Sequence, residues 1–203
     1  VISDLMEPGS VFKTVSLMTV LEDGMCDTSR VVETGNGIYD MHGRPMRDHN
    51  WRHNGYGTIT MARSLEVSSN IGVSRIVEDY YGKNPEKFVE GVYRTGITTD
   101  FKLPLNGYAP ARVRMPKKNA RGQWLNWSKT SLAWMSIGYE TQIPPISTLA
   151  FYNAIANGGK MMQPRFVKEV VKDGKVLQTF PPVVLRPRIC KAKTLGEIQT
   201  ILE

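Results

Sequence analysis

Apolar residues are concentrated between Ser10 and Glu22, where they fall on every side of a helical projection. These apolar residues are Val11, Phe12, Val15, Leu17, Met18, Val20 and Leu21. A helix that is apolar all round is usually buried. The preceding segment 7–10 has the Pro-Gly composition of a turn, and Gly24 suits the position just after a helix C-terminus. The pattern therefore predicts a helix over 10–22 in the interior of the fold.

Shorter patterns predict further helices separated by loops. Apolar residues at helical spacing indicate helices over 58–67, 71–80, 132–137, 147–156 and 193–202. Ser68-Ser69-Asn70 separates the first two of these helices, and Pro144-Pro145 separates the third and fourth. Thr194 and Glu197 have the spacing of a capping box, which predicts that the last helix begins there. Residues 95–121 are rich in Gly and Pro and indicate a connection.

Two segments carry the pattern of β-hairpins. Residues 31–47 are predicted to be extended, with a turn at His42-Gly43-Arg44, and 48–57 form an aromatic and polar loop. Between 170 and 177, β-branched residues flank Asp173-Gly174, a strong signal for a tight hairpin turn. The chain is thus predicted to be α+β and mostly helical.

The composition is that of an ordinary globular domain. The chain has 203 residues, of which 41% are hydrophobic and 22% charged, a length suited to one domain. These values exclude a disordered chain, a collagen-like chain and a membrane bundle. No apolar run reaches the roughly 18 residues of a spanning helix, and the first residues lack the pattern of a signal peptide.

The net charge of +7 raises the possibility of an anionic partner. Basic residues are in local excess at Arg112, Arg114, Lys117, Lys118 and Arg121. This stretch could bind phosphate, but a solvated loop is favoured because Pro110 and Pro116 break any helix there. No nucleic-acid-binding motif accompanies it, so no nucleic acid partner is predicted.

Neither the cysteines nor the histidines define a cofactor or metal site. Cys26 and Cys190 are either two free thiols, which the sequence favours, or one disulfide bridge. A metal site could draw on Cys26, Asp40, His42, Asp48, His49 and His53. However, His49 and His53 are not in a His-Glu-x-x-His motif, and neighbouring glycines indicate a loop. No metal and no cofactor are therefore predicted.

Ser10 and Lys13 form the first candidate catalytic pair. Three residues apart on a helix, their side chains share one face. A serine hydroxyl needs a base to become a good nucleophile, and a lysine can be that base only if its pKa falls towards neutrality. Burial among apolar neighbours and the helix N-terminus both lower the pKa of an amine. A capping serine and a surface lysine would give the same pattern, so Ser-x-x-Lys alone is a weak signal.

Ser68-Ser69-Asn70 is the second candidate element. In a tight turn, Ser68 could relay a proton and the Asn70 amide could hold a peptide group of a substrate. The simpler interpretation is an N-cap for the helix that begins near Ile71, since Ser and Asn both suit that position.

Together these elements resemble the penicillin-recognising serine enzymes. Residues 7–13 (EPGSVFK) are similar to the nucleophile segment of class B penicillin-binding proteins, and 68–73 (SSNIGV) to their second motif. Residues 134–139, Pro144-Pro145 and 154–159 resemble later helices of the division-type transpeptidases in this family. The resemblance covers nearly the whole chain, in order.

The resemblance implies a role for each matching residue. Ser10 would be the acylated nucleophile, Lys13 its general base and Ser68 a proton relay, while Asn70 would bind the substrate backbone. It implies the serine β-lactamase/transpeptidase fold, no cofactor, and crosslinking of peptidoglycan stem peptides with release of D-Ala. β-Lactam antibiotics would acylate the same serine.

One family motif is missing from the sequence. Lys-Thr-Gly or Lys-Ser-Gly is absent, and its near-matches Lys193-Thr194-Leu195 and Lys129-Thr130-Ser131 fall at predicted helix starts. We therefore expect residues 1–203 to be a partial transpeptidase domain, truncated at both ends, with the third motif beyond Glu203. Acylation by this piece alone is expected to be impaired, since loss of one oxyanion donor costs about 100- to 1000-fold in rate.

The resemblance also implies a setting for the whole protein. A membrane anchor would hold it at the periplasmic face of the cytoplasmic membrane, where it would work with a membrane glycosyltransferase and division proteins. Two alternatives stay open: a serine β-lactamase, although no Glu-x-x-x-Asn deacylation motif is present, and a non-catalytic β-lactam sensor.

Overall fold

Helix α1 (Lys13–Glu22) lies at the centre of the fold. The computed structural model of the chain describes residues 2–203. A 3₁₀ turn over Gly9–Phe12 leads directly into α1, and all of its residues from Lys13 to Leu21 are buried. The N–H groups of Gly24 and Met25 donate to the carbonyls of Leu21 and Val20, which closes the helix in a Schellman motif. The prediction of a buried helix ending before Gly24 is confirmed.

Within residues 2–203, six further α-helices pack around α1, and a short 3₁₀ helix covers Trp51–His53. The six α-helices are α2 (Met61–Glu66), α3 (Asn70–Tyr81), α4 (Pro85–Arg94), α5 (Ser131–Ser136), α6 (Pro145–Ala156) and α7 (Ala192–Leu202). Helix α1 contacts α3, α4 and α7 directly. Helix α4 was not predicted from the hydrophobic pattern. However, Pro85 in its first turn and the buried Phe88, Val89 and Val92 are typical of a helix.

The part of the chain that the structure describes contains ten short strands, which pair into five antiparallel two-stranded sheets. They are β1 (Val31–Glu33), β2 (Ile38–Met41), β3 (Arg44–Arg47), β4 (Thr58–Thr60), β5 (Arg112–Val113), β6 (Thr141–Gln142), β7 (Met161–Met162), β8 (Glu169–Lys172), β9 (Lys175–Thr179) and β10 (Val184–Arg186). The pairs are β1–β4, β2–β3, β5–β6, β7–β10 and β8–β9. Helices take up 37% of the chain and strands 18%, so the expected α+β, mostly helical architecture is confirmed.

Both predicted hairpins are present. β2 and β3 are joined by His42 and Gly43, with φ of 55° and 84°, and β8 and β9 by Asp173 and Gly174, with φ of 52° and 75°. Two consecutive positive φ angles define a type I′ turn, whose twist matches that of the paired strands.

The predicted helix over 58–67 is wrong in its first turn. Thr58–Thr60 form strand β4, which pairs with Val31–Glu33, and the helix begins only at Met61. The Thr60 hydroxyl caps the helix by accepting from the backbone N–H of Arg63. Val32 of the partner strand pairs with Ile59, 27 residues later in the chain, so local periodicity could not reveal the pairing.

The predicted capping box of the last helix is also wrong. Helix α7 begins after Lys191, so Thr194 lies inside its first turn. The Glu22 carboxylate accepts a hydrogen bond from the Lys191 backbone N–H at 3.0 Å and another from the Thr194 hydroxyl at 2.7 Å. A carboxylate from the end of α1 therefore caps α7, because acceptors are favourable at a helix N-terminus.

The remaining sequence features have the following environments. Cys26 and Cys190 are free thiols. In the basic stretch, Lys118 lies over the Trp124 ring, and Arg114 forms an ion pair with Glu140. Within residues 2–203, no three His, Cys, Asp or Glu side chains are grouped to hold a metal ion, and no helix has the length and apolarity to cross a membrane.

Candidate active site

Ser10 lies in the 3₁₀ turn that precedes α1, and its side chain is exposed. The turn is held by a hydrogen bond from the Gly9 backbone N–H to the carbonyl of Gly138, at 3.2 Å. The hydroxyl is therefore open to an incoming molecule while the backbone that carries it is fixed from a distant part of the chain.

Lys13 reaches this hydroxyl from one turn further along. Its Nζ donates to Ser10 Oγ at 3.1 Å, to Ser68 Oγ at 2.9 Å and to the Ser68 carbonyl at 2.6 Å. The residue is only 1% exposed. The predicted shared face of Ser10 and Lys13, and the predicted burial of the lysine, are confirmed. One amine thus connects two serine hydroxyls that are 58 residues apart in the sequence.

Burial changes the protonation of this amine. Removal from water disfavours the ammonium and lowers the pKa of Lys13 from 10.5 to about 8, although the negative charge of Asp48 opposes this shift. At pH 7 roughly a tenth of the amine would then be uncharged, against fewer than about one in a thousand for an ordinary lysine. Uncharged Lys13 can accept the Ser10 proton.

A bend in the chain presents Ser68 to Lys13. Ser68 has a φ of 53°, in the left-handed region that non-glycine residues rarely adopt. The next residue, Ser69, caps α3 by accepting from the Gly72 N–H at 2.8 Å, which confirms the capping interpretation for this serine. The bend and the cap occur together, so the capping and functional interpretations of the motif are compatible.

Asp48 stabilises the bend through two hydrogen bonds. One of its carboxylate oxygens accepts from the Ser69 hydroxyl at 2.8 Å and the other from the Ile71 N–H at 3.0 Å. Asp48 is 1% exposed, so these are charge-assisted hydrogen bonds in a dry environment. From the sequence, Asp48 was a candidate only for a metal ligand, and its structural role was not predicted. No local pattern links it to a motif 20 residues later.

Asn70 begins α3 and is partly exposed. Its Nδ2 donates to the Arg47 carbonyl at 2.8 Å, which fixes the side-chain amide against the end of β3. The structure therefore joins Ser10, Lys13 and Ser68 in one hydrogen-bonded cluster and places Asn70 two residues further along the same bend.

The role of Gly138 beside the nucleophile was also not predicted from the sequence. This glycine has a φ of 88°, and a Cβ atom built on it would lie 2.1 Å from the Gly9 carbonyl oxygen. Only glycine allows this close approach of the two backbones beside Ser10. Its position after a predicted helix was a signal for a C-terminal glycine, but nothing local indicated its neighbour.

The near-matches to the third family motif lie in helical environments. Lys193 and Thr194 are in the first turn of α7, and Lys129 and Thr130 immediately precede α5. Neither pair lies on a strand beside Ser10, in agreement with the prediction that both are coincidental.

A serine hydroxyl hydrogen-bonded to a buried lysine, beside a Ser-x-Asn bend in an α+β fold, is the arrangement typical of a penicillin-recognising serine enzyme. Residues 1–203 match the family described as the penicillin binding protein transpeptidase domain, so the chain belongs to that family.

Individual relatives agree with this assignment. The chain is 26% identical over 202 residues to the probable peptidoglycan D,D-transpeptidase PbpC of Pseudomonas aeruginosa, covering 100% of this chain and 32% of that protein. It therefore spans about a third of the length of this curated relative. The fold is similar to the transpeptidase domain of Burkholderia pseudomallei penicillin-binding protein 3, with 29% identity and a TM-score of 0.76 over 99% of this chain and 54% of that one. The D,D-transpeptidase domain from Eggerthella lenta gives a TM-score of 0.79 at 25% identity, over 98% and 48% of the two chains.

Proposed function

We propose that this chain carries the nucleophile of a peptidoglycan D,D-transpeptidase, and that Ser10 forms an acyl-enzyme with the stem peptide. The observation that carries the proposal is the contact of one buried amine, with a pKa of about 8, with the hydroxyls of both Ser10 and Ser68. This is the geometry that a nucleophile, a base and a proton relay require.

In the first half of the reaction, Ser10 Oγ attacks the carbonyl carbon of the penultimate D-Ala. Uncharged Lys13 accepts the hydroxyl proton as the C–O bond forms. The C–N bond then breaks, and the leaving amine of the terminal D-Ala receives a proton from Lys13, with Ser68 Oγ as the relay. Lys13 regains its uncharged form and the acyl chain stays on Ser10.

In the second half, an amine of a neighbouring stem peptide attacks the ester. Its proton passes to the same lysine as the new C–N bond of the crosslink forms. The ester C–O bond then breaks, and Lys13 returns the proton to Ser10 Oγ, which is released as a hydroxyl. A β-lactam enters the first half only: its ring C–N bond breaks and the opened drug stays attached to Ser10. We propose that Asn70 binds the amide group of either molecule.

The match of the chain to transpeptidase domains supports this reaction over the β-lactamase and sensor alternatives. Two wider expectations belong to the same proposal. The chain is part of a transpeptidase domain whose third motif is supplied by another segment of the protein. The whole protein acts at the periplasmic face of the membrane, with a glycosyltransferase and division proteins.

Labelling with a fluorescent penicillin tests the proposal. We expect the full-length protein to retain the label on Ser10, located by mass spectrometry of tryptic peptides, and to release D-Ala from a stem pentapeptide in the presence of an acceptor amine. Ser10→Ala removes both signals, whereas Ser3→Ala, at an exposed serine on the same N-terminal segment, keeps them. Label on another residue, or rapid release of hydrolysed drug, would contradict the proposal.

A further inference from the structure

A charged groove lies beside the turn that carries Ser10. Three short segments line it: Leu5–Glu7, Arg112–Arg114 and Glu140–Gln142. The groove has a volume of about 510 Å³ and is open to solvent. Nothing in the acylation chemistry described above uses it.

The groove-lining residues 5–7 lead along the chain into the turn that carries the nucleophile. The segment 138–143 runs antiparallel to residues 6–9: Gly9 bonds to Gly138, the Glu7 carboxylate accepts from the Glu140 N–H at 2.8 Å, and Met6 pairs with Ile143. Four residues separate Gly138 from Gln142, a span of at most about 14 Å. An extended peptide would need about four residues to cover the distance from Gly138, beside the turn that carries Ser10, to Gln142 in the groove.

Within residues 2–203, Arg112 is the basic side chain of the groove that has no ion-pair partner. Arg114 is paired with Glu140, and Glu7 is engaged by the Glu140 backbone. Within the part of the chain described, residues 2–203, no acidic side chain lies within 4.0 Å of the Arg112 guanidinium. β5 and β6 place Arg112 directly opposite Gln142, and both are exposed on the outer face of this small sheet.

We propose that Arg112, with Gln142 beside it, binds a carboxylate of the peptide donor that acylates Ser10, other than the C-terminal carboxylate. A guanidinium and an amide on adjacent strands present several N–H donors to one side, and this arrangement matches the two oxygens of a carboxylate. The inference rests on the proposed function, because it names a further contact of the same substrate. Arg112 is thereby a specificity-determining residue for the peptide and has no part in activating the serine.

The test compares two synthetic peptides ending in D-Ala-D-Ala. One carries a free carboxylate within four residues of the scissile bond, and the other carries a carboxamide at that position. Release of D-Ala by the full-length protein gives kcat/KM for each peptide. Arg112→Gln is compared with Arg121→Gln, which removes an exposed arginine of the same basic stretch that does not line the groove. Acylation by a labelled penicillin is measured in parallel.

We expect wild-type protein to prefer the free carboxylate by about fivefold, the scale of a partly exposed charge pair, and Arg112→Gln to remove that preference. Arg121→Gln keeps the preference, and the penicillin acylation rate is unchanged in both variants. Equal use of the two peptides by wild-type protein, or the same preference in Arg112→Gln, would overturn the inference. If penicillin fails to label Ser10 in wild-type protein, it is the proposed function that fails.

Discussion

Lys13 is almost fully enclosed, yet three oxygen atoms surround its Nζ. An ammonium without partners would be very costly at this position, and these acceptors offset part of that cost. Asp48 adds a favourable negative charge, and desolvation outweighs it in setting the pKa. The residue is therefore held close to the balance point between its two protonation states, which is useful for a group that must both accept and return a proton.

The pH dependence of Ser10 acylation follows from this balance. Only the uncharged amine can act as a base, so the rate should increase about tenfold between pH 7 and pH 9 and level off above the pKa of about 8. Stopped-flow labelling with penicillin measures the acylation rate at each pH. Lys193→Ala, at an exposed lysine, is the control. A rate that is flat over this range would show that Lys13 is not the base.

Folding stability should change with pH in the same direction. The pKa of Lys13 is lower in the folded chain than the ordinary value of 10.5, so the unfolded chain binds more protons between about pH 8 and 10.5. The contribution of this residue to the free energy of unfolding therefore rises across that window and is least favourable below it.

At the scale of the elements, α1 and α4 approach closely because α4 has a glycine at the contact. A Cβ atom on Gly91 would lie 2.2 Å from Cγ2 of Thr19, which is buried on α1. The helix would otherwise favour alanine by about 1 kcal/mol. Close packing of the two helices therefore explains this glycine, although alanine has the higher helix propensity.

We expect Gly91→Ala to destabilise the fold by about 1–2 kcal/mol, because overpacking a helix contact outweighs the gain in propensity. Gly196→Ala is the matched control: it also lies within a helix, α7, and its added Cβ meets no atom within 4 Å. That variant should gain about 0.5–1 kcal/mol. Urea unfolding of the two variants measures both values, and destabilisation of equal size would contradict the packing argument.

For the molecule taken as a whole, the nucleophile depends on two distant parts of the chain, which lie about 60 and about 130 residues after Ser10. The turn 6–9 is bonded along 138–143, and Lys13 is bonded to the bend at Ser68. Helix α1 is thus fixed at the site from both sides. Both contacts join residues far apart in the sequence. A change that separates these segments should therefore slow acylation of Ser10 before it unfolds the protein.

Gly138→Ala tests this coupling. The added methyl group cannot fit against the Gly9 carbonyl, so we expect penicillin acylation of Ser10 to slow by at least about tenfold. Gly158→Ala is the control, because Gly158 also follows a helix and has a positive φ of 63°, but its added Cβ meets no atom within 4 Å. Both variants carry similar backbone strain of about 1–2 kcal/mol. Only the first should lose acylation rate, and equal losses would rule out a specific role for the contact.

The parts of this protein that could be predicted from its sequence depend on residues close together in the chain. The buried helix α1, the two type I′ hairpins and the shared face of Ser10 and Lys13 all follow from local periodicity and turn chemistry. The resemblance of several separated segments also indicated the family, because the same residue types recur in the same order.

Contacts between residues far apart in the sequence are set by the fold and could not be predicted. Strand β4 replaced a predicted helical turn because its partner is β1, and Glu22 replaced the predicted capping box at α7. Asp48 and Gly138 became parts of the site through contacts with residues far away in the chain. Hydrogen bonds and close packing depend on distance in space, and periodicity along one segment carries no information about the segment that will lie against it.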